Sequence, residues 1–466
     1  MVNLITQLSK YLMIFMFAFY AYECFAVFRK KLTEKKRDAI YHRQNVLMYL
    51  IHFDAFLVMF LVTKEKQLIG FYLMQLILLL AIIICYRIFY KNTSRLLLNN
   101  MCMLLSVSFI ILTRLDYSKA LKQYVICAAS AVIALLIPVL MKKLHFFHKL
   151  EWVYAAVGML ALLLVAVVGS TSYGAKISIS IAGISIQPSE FVKILFVFFT
   201  AAMLNKSTEF KNIVITTIVA AMHVLILVAS KDLGGALIFF VAYLVMLYVA
   251  TRQPLYFFGG IGAGAIASVL AYKLFNHVRV RVVAWRNPLS VIDNEGYQIC
   301  QSLFAIGTGG WFGMGLYQGL PNKIPVVEQD FVFSAISEEL GGIFALCLIM
   351  VCISCFLMFF NIAMQMKNQF YKLVALGLGT VYGFQVFLTI GGVTKFIPST
   401  GVTLPLVSYG GSSMLSTMIL FGIIQGLYLL KQNEGELDGK GKNERKVSKK
   451  KKTKVTGFDA EVEDLT

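Results

Sequence analysis

Charge is scarce in this chain. Asp, Glu, Lys and Arg make up only 14% of its 466 residues, against about a quarter in a soluble domain, which excludes an ordinary water-soluble globule. Zinc-ligand spacings, a phosphate-cradling P-loop and paired Cys/His sites are also missing, so metalloenzyme and nucleotide-hydrolase chemistries have no motif to rest on. The first apolar run lacks a small-residue cleavage site, so no removed signal peptide is expected. Strand-like alternation is absent, which argues against a β-barrel. Eight cysteines are present. Seven fall in or beside apolar runs and Cys300 alone in a polar stretch; they suggest small packing residues rather than a disulfide framework.

Hydrophobic residues reach 59%. They fall in runs of about 18–25 residues, long enough for a helix to cross roughly 30 Å of hydrocarbon. A spanning segment in lipid must satisfy its own backbone hydrogen bonds, so the runs predict helices. Thirteen spans are expected: 11–28, 46–63, 68–88, 97–114, 122–141, 151–170, 189–204, 212–229, 235–250, 257–275, 335–360, 371–390 and 412–430. The fold class is an all-α polytopic membrane protein.

The net charge of +19 would point to a nucleic-acid partner in a soluble protein. Here much of the excess sits in 29–43 and in the tail after Lys431, beside membrane spans. The positive-inside rule accounts for both segments, and no nucleic-acid partner is expected. The 29–43 loop is then cytoplasmic and Met1 outside. Alternation places the loops 175–188, 276–333 and 391–409 outside and the C-terminus inside. Residues 431–466 form a Lys-, Glu- and Gly-rich tail expected to be disordered, its cations either near anionic lipid or merely enforcing topology. Arg279, Arg281 and Arg286 lie in an outward loop, where they invite an anionic ligand.

Most connections run about four to six residues, yet 276–333 runs nearly sixty. It holds Asn287-Pro288, Gly296-Tyr297-Gln298, Gln301-Ser302 and Ala305-Ile306-Gly307-Thr308-Gly309-Gly310, with Gly313, Gly315 and Gly319 beyond. Such glycines either let backbone approach a ligand or let a reentrant element pack. The loop ends at Asp330-Phe331, with Ser337-Glu338-Glu339-Leu340-Gly341-Gly342 following. Asp330, at the start of the eleventh span, is a helix N-cap, a general base raised by low-dielectric surroundings, or both. Glu338 and Glu339 stand about two turns into that span, where carboxylates face a cavity or a partner.

The loop before the seventh span reads Gly174-Ala175-Lys176, then Gln187-Pro188-Ser189-Glu190-Phe191-Val192-Lys193. Glu190 and Lys193 share a helical face, as a structural ion pair or as the wall of a polar groove. The last long loop reads Pro398-Ser399-Thr400-Gly401, then Ser408-Tyr409-Gly410-Gly411-Ser412-Ser413. Its hydroxyls either face phosphate oxygens or satisfy a broken helix. Lys231-Asp232-Leu233-Gly234-Gly235 marks a tight outward turn. His52 and Asp54 are expected to form a local polar contact.

These segments, in this order and spacing, resemble the SEDS family (shape, elongation, division and sporulation; RodA-, FtsW- and SpoVE-like proteins). The carriers are Gln187-Pro188-Ser189-Glu190 with Lys193, Asp232-Leu233-Gly234, Gly296-Tyr297-Gln298-x-x-Gln301-Ser302, Asp330-Phe331 with Glu338-Glu339-x-Gly341, Pro398-x-Thr400-Gly401 and Ser408-Tyr409-Gly410-Gly411-Ser412-Ser413. The resemblance covers roughly residues 97–430. It implies a ten-span core at 96–430, preceded by an extra three-span module at 1–95. It also implies a multi-pass protein of the bacterial cytoplasmic membrane with peptidoglycan glycosyltransferase activity on the outer face. Lipid II and the growing polyprenyl-linked glycan are the implied substrates, and a class B penicillin-binding protein the implied partner. The family's catalytic aspartate matches Asp330. Substrate contacts are expected from Lys193, Glu190, Arg281, Gln301, Ser302, Gly307, Gly309, Glu338, Glu339, Lys395, Thr400, Ser408 and Ser412. Arg281, Lys193 and Lys395 are candidates for the leaving pyrophosphate; no resident metal is expected, and a divalent cation is compatible with that chemistry. Two departures stand out: Ile177-Ser178 replace a frequent Arg-Trp, and Thr389 replaces a common Asn.

Overall fold

The computed structural model describes residues 2–29, 32–143, 146–172, 175–181 and 184–432. Gly174 and the basic run Lys442–Lys454 of the tail lie outside these residues. The helices are α1 (Val2–Ala26), α2 (Glu34–Thr63), α3 (Gln67–Phe89), α4 (Arg95–Leu115), α5 (Tyr117–Lys143), α6 (Glu151–Val168), α7 (Ser189–Lys206), α8 (Phe210–Ala229) and α9 (Leu233–Thr251). They continue with α10 (Pro254–Leu274), α11 (Asn276–Arg286), α12 (Tyr297–Gly309), α13 (Val332–Leu340), α14 (Gly342–Gln365), α15 (Gln369–Val393) and α16 (Gly411–Gln432).

Among the described residues, twelve helices are long and apolar enough to cross a membrane. The thirteenth expected span is α7, which has 18 residues. It falls short because Glu190, Lys193 and Lys206 all lie on it. The expected span 335–360 is not one helix: Gly341, with φ +93°, breaks it into α13 and α14. Glu338 and Glu339 therefore sit on a short separate helix and not deep in a span. The sequence also concealed a small sheet. Strands β1 (Ser170–Ser172), β2 (Ala175–Ile181) and β3 (Ile184–Ile186) form an antiparallel meander. The run Ile177-Ser178-Ile179-Ser180-Ile181 alternates in the outward loop before α7, so the expected absence of strand-like alternation does not hold there.

Helix α4 is the axis of the bundle, its spanning window wholly buried. α5, α14 and α2 pack around it, and α15 packs on α14, α9 and α7. The first three helices dock on this core through α1 against α14 and α2 against α4. Their contact is partly polar: the Tyr20 hydroxyl donates to Asn100 Oδ1 at 3.1 Å, and Asn100 Nδ2 donates to Ser354 Oγ at 3.1 Å. Polar pairs in such surroundings specify register because few alternatives satisfy them. His52 and Asp54 do not pair with each other. His52 Nδ1 meets Ser106 Oγ at 3.1 Å, and Ser9 Oγ donates to Asp54 Oδ2 at 2.6 Å. Cys300, expected in a polar loop, is buried in α12, and all eight cysteines are free.

The connections divide between two faces. Lys10 Nζ on Gly313 O, Lys119 on Glu328 and the Gln187 amide on Ser412 Oγ put the start of α1, the α4–α5 turn, the sheet, the 275–341 segment and the 394–410 loop on one face. Arg95 on Asp38, Lys206 on Glu151 and Thr93 on Gln425 mark the opposite face.

Candidate active site

The glycine-rich segment packs backbone to backbone. The amides of Met314 and Gly315 donate to the carbonyls of Glu338 and Glu339 at 2.9 and 2.8 Å, and Gly342 N donates to Gly310 O at 2.8 Å. A Cβ on Gly309 would lie 2.1 Å from Ser337 O, and one on Gly313 2.4 Å from Glu339 O. These glycines serve close packing. Gly307 has open space around it. At Gly341 a Cβ would meet Gly313 N at 2.5 Å on a left-handed backbone. Gly341→Ala is expected to cost about 1–3 kcal/mol or more, read as a lowered midpoint in thermal unfolding of the detergent-solubilised protein; an unchanged midpoint would refute the packing account.

This packing holds α13, and α13 carries two buried acids. Arg114, at the end of α4, clasps Glu339 through Nε and Nη2, with Nη2–Oε1 at 2.7 Å. Its guanidinium also stands over the Tyr317 ring, 4.2 Å from the centroid. Glu338 Oε1 accepts the Leu320 amide at 2.9 Å. Both carboxylates thus tie the 310–320 segment to the bundle. Ser302 is likewise internal, bonded to Ser334 Oγ at 2.7 Å and to Val393 O at 2.9 Å. Gln301, next to it, is half-buried.

Asp330 lies just before α13. The N-cap position belongs to Phe331, with no side-chain cap bond, so the capping role does not hold. Asp330 as a residue is half-buried, its carboxyl lies inward, and burial pushes it up to about 6. Its own backbone amide and Arg281 oppose that shift, while the like charge of Glu328 adds to it. Between Asp330 and Arg281 stands Gly401, at φ +72°. A Cβ there would be 3.6 Å from Asp330 Oδ2 and 3.8 Å from Arg281 Nη2. Acid and cation therefore face each other across a bare stretch of backbone without closing into an ion pair.

The 394–410 loop is held in place from three sides. Arg281 Nη1 donates to Ser399 O at 3.1 Å, and Trp285 Nε1 donates to Lys395 O at 3.1 Å, so α11 lies over it. From α15, Gln385 Nε2 reaches Thr403 O at 3.1 Å and Thr389 Oγ1 reaches Val402 O at 2.9 Å. Thr389, noted above as a departure, thus supplies a donor to the loop. Ser408 Oγ donates to Gln329 O, next to Asp330, and accepts the Leu404 amide at 2.9 Å. Ser412 Oγ accepts the Gln187 amide at 2.9 Å. Thr400 Oγ1 is buried with no partner.

Lys193 is buried and internally engaged, with Glu190 at 2.6 Å and Gln385 at 2.8 Å. Ser416 Oγ donates to the same Glu190 oxygen at 2.7 Å. Of the three candidate cations, only Arg281 faces Asp330. Lys395 is half-exposed, and its main-chain carbonyl accepts the Trp285 bond.

Several residues near Asp330 and Arg281 were not among the expected substrate contacts. Asp232 heads α9, accepts Gly235 N at 2.8 Å and the Ser189 hydroxyl at 3.0 Å, and adds a second carboxylate beside Arg281. Burial raises its carboxyl. Its motif was visible; its role was not. Gly234 is small because a Cβ would strike Val402 Cγ2 at 2.2 Å. Arg114, Lys119 and Glu328 gave no motif signal. Among the described residues, no three of His, Cys, Asp and Glu gather as a metal site.

Fold and site together define a multi-pass α-helical membrane protein with a carboxylate–arginine cluster on one face of its bundle. The family model described as "Cell cycle protein", spanning FtsW, RodA and SpoVE, matches residues 87–432, and the chain belongs to that family, the SEDS proteins of the bacterial cytoplasmic membrane. It is 38% identical over 271 residues to the peptidoglycan glycosyltransferase RodA of Mycobacterium tuberculosis, covering 55% of this chain and 58% of that protein. It is 33% identical over 278 residues to a probable peptidoglycan glycosyltransferase FtsW of Geobacter metallireducens, covering 57% and 73%. The match thus spans little more than half the length of the mycobacterial relative. Its fold is similar to that of Thermus thermophilus rod shape determining protein RodA, with a TM-score of 0.56, 22% identity and coverage of 73% of this chain and 97% of that one. It is also similar to a chain of a peptidoglycan synthase complex, with a TM-score of 0.61, 23% identity and coverage of 73% and 98%.

Proposed function

We propose that this protein polymerises lipid II into glycan strands on the outer face of the membrane, with Asp330 as general base. The observation that carries the proposal is a buried carboxyl, raised to about 6, facing Arg281 across Gly401. A group with that value is mostly ionised at neutral pH yet basic enough to take a proton in the transition state. The sugar hydroxyl of one lipid-linked disaccharide attacks the anomeric carbon of the growing chain. Its proton passes to Asp330, the new C–O bond forms, and the bond to the polyprenyl pyrophosphate breaks. Attack from the side opposite the leaving group inverts the anomeric centre. Arg281 is the cation suited to the departing pyrophosphate, and Thr400 Oγ1 is a free hydroxyl in the same loop. The positive-inside rule puts this face outside. Helices α1–α3 are an added module of the chain, and a class B penicillin-binding protein is the proposed transpeptidase partner.

A lipid II flippase is the competing reading. It gains little from Glu190 and Lys193, which are satisfied by each other, Gln385 and Ser416. A non-catalytic scaffold has no need of a raised acid opposite an arginine.

The test is glycan polymerisation by the purified protein, with its partner, on lipid II. Because the base form is needed, the rate should rise with pH and reach half its maximum near pH 6. No polymer under any condition, with flipping intact, would overturn the proposal. A rate falling as pH rises through 6 would remove Asp330 as the base.

A further inference from the structure

Two residues before Asp330, the Glu328 carboxylate is buried and meets Lys119 Nζ of α5 at 2.5 Å. The same ammonium lies 3.6 Å from Asp116. An exposed ion pair adds little to stability, but this pair occupies a special position. The main chain it carries is held on both following peptides: Glu328 O accepts the Tyr409 amide at 2.7 Å, and Gln329 O accepts the Ser408 hydroxyl. One turn along α5, Gln123 donates to Ser408 O at 3.1 Å and accepts the Gly410 amide at 3.3 Å. A single helical turn, Lys119 to Gln123, thus grips both segments that meet at the aspartate.

We propose that Lys119 is a positioning residue for Asp330: by holding Glu328 it fixes the peptide that carries the carboxylate and offsets the like charge next to it. The inference rests on Asp330 being the base. Among the described residues, Arg281 on α11 and Glu328 on its own segment act on Asp330 directly; Asp232 at the head of α9 stands beside Arg281, and Lys119 and Asp116 at the head of α5 and the Tyr409 hydroxyl stand beside Glu328. Only the Lys119–Glu328 pair combines a main-chain anchor with a charge that can be switched from either side. Removing the lysine leaves Glu328 as an uncompensated anion, which favours the protonated form of Asp330. Removing the Glu328 charge takes away the like charge beside Asp330 and leaves the lysine only Asp116 at 3.6 Å, which favours the ionised form.

The experiment is an infrared titration of the full-length protein, following the protonated-carboxyl band that disappears in Asp330→Asn. Lys119→Met should move the midpoint up by about 0.5–1 pH unit, and Glu328→Gln should move it down by a similar amount. Lys119→Arg should restore the wild-type midpoint. The acid limb of the polymerisation profile should move with it, so that Lys119→Met loses far more rate at pH 6 than at pH 8. Unmoved midpoints in both variants overturn the proposal. So does a loss of rate that is equal at all pH values, which would mark Lys119 as merely structural. If Lys119→Met does not fold, Glu328→Gln alone decides. Failure of wild-type protein to polymerise lipid II would sink the functional reading, whereas the infrared midpoint still judges the pair.

Discussion

Asp330→Asn is expected to abolish glycan polymerisation while leaving the protein folded. Asparagine keeps the shape of the side chain but cannot accept the nucleophile's proton. A positioned general base is worth about 10²–10⁴-fold in rate, so polymer should fall below about 1% of wild type. Folding should persist because the Asp330 carboxyl caps no helix and closes no ion pair. Burial also disfavours its charge. The variant should elute from size exclusion and unfold thermally as the wild type does. Polymerisation at an unimpaired rate would end the assignment of Asp330 as base. Loss of lipid II flipping in the same variant, with polymerisation intact, would turn the case toward transport.

Arg114→Met is expected to be the most destabilising single change at the end of α4. Arg114 and Glu339 have side-chain exposures of 10% and 0%. Deleting the cation leaves a buried carboxylate without a counter-charge, which costs about 3–5 kcal/mol. The methionine keeps most of the volume, so the loss reports charge rather than a cavity. Adding Glu339→Leu should recover much of the stability, because replacing a whole buried pair by apolar groups is often neutral. The measurement is the midpoint of thermal unfolding in detergent. A single variant within about 1 kcal/mol of wild type would show that the pair is screened after all.

The Arg114–Glu339 clasp also shows where sequence reading ran out. In the sequence Glu339 stands out as an acid at membrane depth, which points to a substrate contact. Its partner lies 225 residues away, and nothing in the local pattern of α4 pairs the two. The same holds for Ser302, whose hydroxyl goes to Ser334 and Val393 O, and for Lys193, which is absorbed by Glu190 and Gln385. Polar residues near a site are easily read as ligand contacts, because the sequence does not say which of them are already satisfied. The sheet at 170–186 was missed because one short alternating run is weak against the surrounding apolar spans.

By itself the sequence determined the solvent of this protein and the order of its parts. Runs of about 20 apolar residues admit only helices in lipid. The order of the loop motifs picked out the family and Asp330. Tertiary structure decided what each polar group does. It broke a single expected span at Gly341, turned Glu338 and Glu339 inward, and brought Arg281 across Gly401 to Asp330. It also set Lys119 against Glu328. The physical reason is that span formation depends on local composition, whereas the state of a buried charge depends on which distant group arrives to meet it.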